Sequence, residues 1–104
     1  MARTLKQGSI ELVWSTVADS TGQDISADTF ELSHVVDAGT STQPGVWEAP
    51  HALSSSPTVS TRRLAKLVTA AVVGGKRTRY RVFAKVSDSP EVPIIDCGTY
   101  TVLP

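Results

Sequence analysis

From Ser9 to Val17 the chain alternates, with Ile10, Leu12 and Trp14 on one face and Glu11 and Ser15 on the other. A period of two marks a strand, because successive side chains of an extended backbone point to opposite faces. Ile10, Leu12 and Trp14 are therefore expected to turn towards the core. Asp19-Ser-Thr-Gly22 follows with turn chemistry: Asp and Ser bond their own backbone, and Gly supplies positive φ. A second strand is predicted from Thr29 to Val36 with Phe30, Leu32 and His34 inward, and with Ile25 tucked beneath the connection. Asp37 to Gly45 reads as a polar loop. Val46 to Ala49 reads as a short strand closed by Pro50, which has no N–H to give to a ladder. The Ser-rich stretch from Ser54 to Ser60, around Pro57, is expected to be a mobile connection.

Arg62 to Val73 supports two patterns. Leu64, Leu67, Val68 and Ala71 fit helical spacing, whereas Leu67 to Val73 is rich in β-branched residues that favour strands. The flanking strands favour a strand here, with a helical turn over Thr61 to Lys66. Gly74-Gly75 turns the chain into the clearest alternation of all. Tyr80, Val82, Ala84 and Val86 alternate with Arg79, Arg81 and Lys85, and Phe83 is the apolar exception on the charged face. A loop from Asp88 to Pro93 leads to a last strand from Ile94 to Leu103, with Tyr100 and Val102 inward. About seven short strands with turns every ten or so residues predict an all-β fold, a single antiparallel sandwich of immunoglobulin-like or fibronectin III-like type. Tyr80, at the start of the penultimate strand, matches the corner tyrosine of such sandwiches, and Trp14 matches an inward position. Residues 1–104 form one domain on this reading, with residues 1–8 as an extended N-terminal arm.

A chain of 104 residues can bury one core without staples. Its ten Lys and Arg balance its ten Asp and Glu, so no global field steers it towards nucleic acid or membranes. The charge is divided along the chain, however. Eight of the ten cations lie between Arg62 and Lys85, and seven of the ten acids lie at or before Glu48. That division gives either two solvated faces of opposite sign or a head-to-tail contact between copies. Cys97 is the one cysteine, which excludes an intrachain disulfide, and the chain has no Asn to carry N-linked sugar. Residues 1–7 lack the apolar core of a signal peptide, so folding in a reducing cytoplasm is expected.

No catalytic, metal or cofactor constellation emerges. His34 and His51 have no second His or Cys at ligand spacing, and Asp19, Asp24 and Asp28 lack the spacing of a calcium loop. Turn-capping accounts for these acids. Nothing near Cys97 supplies a base, so it reads as a small buried hydrophobe. Ser54-Ser-Ser56 has no nucleophile-elbow context, and Gly74-Gly75 lacks the Lys and Ser/Thr of a phosphate loop.

The basic set Arg77, Arg79, Arg81 and Lys85, extended by Arg62, Arg63 and Lys66, makes a positive stripe. Single-stranded nucleic acid would call for interleaved aromatic residues, and Phe83 alone stands among these. A protein contact or a solvated face fits better. Trp47, if exposed, is a candidate interface anchor.

The segment from Tyr80 to Val102, two alternating strands around Asp-Ser-Pro-Glu-Val-Pro, resembles small immunoglobulin-like or fibronectin-like proteins encoded among the virion assembly genes of tailed phages that infect actinobacteria. Trp14, the Thr29 to Val35 strand and Pro44-Gly-Val-Trp47 share in the resemblance, while Ala52 to Val73 departs from it. The resemblance implies a non-enzymatic structural protein of the virion, assembled in the host cytoplasm. Capsid decoration or cementing comes first, and a place at the head-tail junction or tail second. A cytoplasmic adaptor outside the particle is the reading from another class. The implied partners are the major capsid protein, other virion proteins or further copies of the chain. The candidate contact residues are Arg79, Arg81, Phe83 and Lys85 on the strand, Ser89, Pro90, Glu91, Val92 and Pro93 in the loop, and Trp47.

Overall fold

The computed structural model describes residues 3–54, 59–87 and 91–104. Seven strands are found among them: β1 (Arg3–Lys6), β2 (Ile10–Ala18), β3 (Thr29–Val36), β4 (Ala52–Ser54), β5 (Thr61–Thr69), β6 (Thr78–Ser87) and β7 (Ile94–Leu103). They form a four-stranded sheet in the order β1-β7-β6-β3 and a three-stranded sheet in the order β2-β5-β4. This is the expected all-β sandwich, and its strand pairing follows the immunoglobulin-like arrangement. It is not wholly antiparallel: β1 runs parallel to β7, with Leu5 opposite Val102. The segment expected as an arm is thus an edge strand from Arg3 to Lys6.

The large sheet presents Leu32, Val82, Ala84 and Val102 to the interior, and the small sheet answers with Val13, Val17, Leu64 and Val68. Ile25 closes one end of this core. The phase of β2 is the reverse of the expected one. Val13, Ser15 and Val17 are buried, while Ile10, Leu12 and Trp14 point outward. Both faces of β2 carry apolar residues, so alternation alone does not choose between them. The register with β5 does. Ser15 faces Leu64 and Glu11 faces Val68, whereas Leu12 faces Leu67 and Trp14 faces Ala65. A slip of one residue would exchange the two sets.

The Arg62 to Val73 segment is a strand through Thr69, with no helical turn at its start. Paired along its length with β2, it satisfies its backbone in the ladder rather than in i→i+4 bonds. Val46 to Ala49 does not form the expected strand. Glu48 makes one backbone bridge with Leu32, its N–H donating at 2.9 Å and its carbonyl accepting at 2.8 Å. Beyond Pro50 the chain crosses to the other sheet, where the His51 N–H donates to Ala65 and β4 pairs with β5. The expected connection from Ser54 to Ser60 falls largely on residues 55–58, outside the described residues.

Two local features hold the first half of β6. The Tyr80 hydroxyl donates to the Ala71 carbonyl at 2.9 Å, the corner bond of an immunoglobulin-like sandwich. Its ring stacks on Tyr100 with centroids 5.2 Å apart. Further along, the β6–β7 register shifts between Arg81 and Phe83, where Gly98 takes φ +93° and an extra β7 residue is accommodated. That bulge sets Asp96 beside Arg81.

Two substitutions separate the core from the corner. Leu64→Ala removes a wholly buried side chain and should cost about 3 kcal/mol in chemical denaturation. Tyr80→Phe should cost about 1 kcal/mol, the net worth of one hydrogen bond.

Candidate protein-binding site

The basic stripe on the outer face of β6 is partly neutralised from within the chain. Arg81 donates through Nε to Asp37 at 3.0 Å and through Nη1 to Asp96 at 2.6 Å. The Arg81 guanidinium hydrogen bond is the main reason that Asp37 titrates below the usual carboxylate range. Lys85 pairs with Glu31 at 3.2 Å and sits with Nζ 4.9 Å from the Trp47 ring centroid. Lys66 pairs with Glu48. Arg79 is exposed, and no ion pair involves it among the described residues. As a contact surface for an acidic partner, the stripe is thus reduced to its Arg79 end.

Phe83 and Trp47 belong to the packing of that same face. The Phe83 side chain is buried, opposite Ser33 in the β3–β6 register. Ser33 is covered too, because its hydroxyl accepts the Gly45 N–H at 2.8 Å. A Cβ on Gly45 would lie 2.8 Å from Val35 Cγ1, so only glycine lets the chain approach β3 this closely. Trp47 is half-buried under Lys85 and is not a free anchor.

The loop candidates divide. Ser89 and Pro90 lie outside the described residues, whereas Glu91, Val92 and Pro93 are exposed, as is Ile94 at the start of β7. The Pro93 carbonyl accepts the Val86 N–H at 3.1 Å, which ties the base of the loop to β6.

The larger apolar surface was missed by sequence reasoning. On the outer face of the small sheet, Leu12 pairs with Leu67, and Trp14 pairs with Ala65, which in turn faces Ala52. Ile10 is 66% exposed and Leu67 is 45% exposed, while Leu12 and Trp14 are half-buried. Other exposed aliphatic residues, such as Val46 and Val73, occur singly on connections and call for no explanation. The rim of this face is basic. Arg63 Cζ stands 4.8 Å from the Trp14 ring centroid, and Arg3 Nη1 donates to the Leu12 carbonyl at 2.8 Å on the free edge of β2. The signal that could have found it is the apolar character of both faces of β2, combined with Leu67 next to Val68.

The titratable groups inside the sandwich serve packing. Cys97 lies against Ser15 and the core, and burial pushes its thiol up to about 11. At neutral pH it is a protonated, weakly nucleophilic group. Among the described residues, no group of three or more His, Cys, Asp or Glu side chains is arranged to hold a metal ion. Asp19 and Asp24 cap their own turns by accepting from Thr21 and Ser26.

No family model matches the chain, and neither the characterised proteins nor the solved structures compared with it give a match.

His34 provides a test of the interior. Its Nδ1 lies 3.1 Å from the Tyr100 hydroxyl, and its buried Nε2 has no hydrogen-bond partner among the described residues. Burial lowers its pKa to about 4, helped by the Lys66 charge and opposed by Glu48. The folded state therefore binds fewer protons at His34 than the unfolded state between the ordinary value of 6.5 and about 4. The stability this contributes is full above 6.5 and is lost as pH falls through that window. Melting temperature should fall between pH 6.5 and 4 in the wild type and fall less steeply in His34→Gln. Parallel curves would refute this role.

Proposed function

We propose that this chain is a non-enzymatic virion structural protein of a tailed bacteriophage, acting as a capsid decoration or cementing protein that binds the head shell. The observation that carries the binding role is the contiguous apolar outer face of β2 and β5, formed by Ile10, Leu12, Trp14 and Leu67. A water-exposed sheet face normally carries the polar half of the alternation, and contiguous apolar surface there marks a contact. The link to a virion rests on the resemblance of the Tyr80 to Val102 segment to phage assembly proteins. A disulfide-free sandwich whose Arg81 and Lys85 are paired internally suits a module that docks by shape and apolar contact rather than by a strong field.

Quantitative mass spectrometry of purified particles tests the proposal. A copy number equal to that of the major capsid protein, or a simple fraction of it, is the expected result. A handful of copies would move the protein to the head-tail junction or the tail. Complete absence from particles would overturn the virion role and leave a cytoplasmic adaptor.

A further inference from the structure

The apolar face of the small sheet has a complementary surface on the same chain. The outward side chains of β2 and β5 include Arg63 and no carboxylate, and Arg3 adds a second cation at the β2 edge. An occupant of this face should therefore bring apolar side chains flanked by negative charge. Residues 91–94 have that composition. Val92 is 53% exposed, Ile94 is 54% exposed, and the exposed Glu91 precedes them. Pro93 fixes one backbone angle between the two apolar residues, so less entropy is lost when the segment docks.

Within one molecule these two surfaces cannot meet. Glu91 and Pro93 lie at the end of the sandwich, beside Val17, Asp19 and Ile25. Val17 and Ile25 face the core, so the loop stands on the inner side of β2, away from the Trp14 face.

We propose that the 91–94 segment of one copy docks on the β2–β5 outer face of a second copy. Val92 and Ile94 lie over Leu12, Trp14 and Leu67, and Glu91 meets Arg63. Two different surfaces are joined, so the contact is heterologous. It propagates head to tail until it closes into a ring or runs on as an open chain. On a shell this contact joins neighbouring copies laterally, so the apolar face serves copy-to-copy docking rather than the shell itself, and the contact does not depend on where the protein resides.

Sedimentation velocity on the purified chain over a range of concentrations tests this, with two variants altered at exposed positions so that folding is retained. Leu67→Asp disables the face, and Ile94→Asp disables the loop. The wild type should grow beyond dimer with concentration, and each variant alone should associate at least about tenfold more weakly. An equimolar mixture of the two should recover association but stop at a one-to-one dimer, because only one intact face and one intact loop remain to pair. Arg63→Glu combined with Glu91→Arg should associate more tightly than either change alone. A mixture that stays monomeric, or a wild-type dimer that both variants retain, would overturn the heterologous contact. A wild type that stays monomeric across the concentration range would also overturn it, and loss of Leu67→Asp from particles would then assign the face to the capsid shell.

Discussion

The register between β2 and β5 is the constraint on which the rest of the molecule depends. It places Val13, Ser15 and Val17 with Leu64 and Val68 against the large sheet. The interior opposite them holds Leu32, Val82, Ala84 and Val102, with Tyr100 and half-buried His34 and Tyr80 towards one end. Small partners from β2 fill the remaining space, and Ser15 fits beside Cys97. Turning Trp14, Leu12 and Leu67 inward instead would add bulk where the sheets already meet, and overpacking is as unfavourable as a cavity. The larger apolar residues are thereby left outside. The apolar outer face is a consequence of how the core is filled.

The large sheet divides its chemistry differently. Its outer face is rich in charge, but the chain supplies most of the counterions itself. Asp37 arrives from the β3 connection, Asp96 through the β7 bulge and Glu31 from the facing strand. Residues 42–48 then fold over β3, covering Ser33 and bringing Trp47 under Lys85. A surface organised in this way is stable and solvated, and it has little left to offer a partner. The small sheet and the 91–94 loop hold what remains.

Much of the fold was legible. The limits of β3 and β7 follow from alternation bounded by turn residues, and the Tyr80 corner bond follows from one residue type at one place. The facing of β2 was not legible, because period two gives two faces without saying which is buried when both are apolar. Residues 46–54 misled for a related reason. Val46 and Trp47 look strand-like, yet the chain there crosses between sheets, and its backbone pairing is shared between β3 and β5. Of the candidate site, the loop residues Glu91, Val92 and Pro93 are exposed. The stripe was overestimated, because Asp37 lies 44 residues from Arg81 and a pair so distant leaves no local pattern. Phe83, the exception in the alternation, is covered by packing within its own chain.

Leu67 and Val68 are neighbours in sequence and lie on opposite faces of β5, so they report directly on the register. The decisive measurement is the rate of maleimide labelling of Leu67→Cys and of Val68→Cys in dilute native protein, each in a Cys97→Ser background. The structure predicts labelling of Leu67→Cys at close to the unfolded rate and strong protection of Val68→Cys. Protection at position 67 with free labelling at position 68 would contradict the register and remove the apolar face on which the binding role rests.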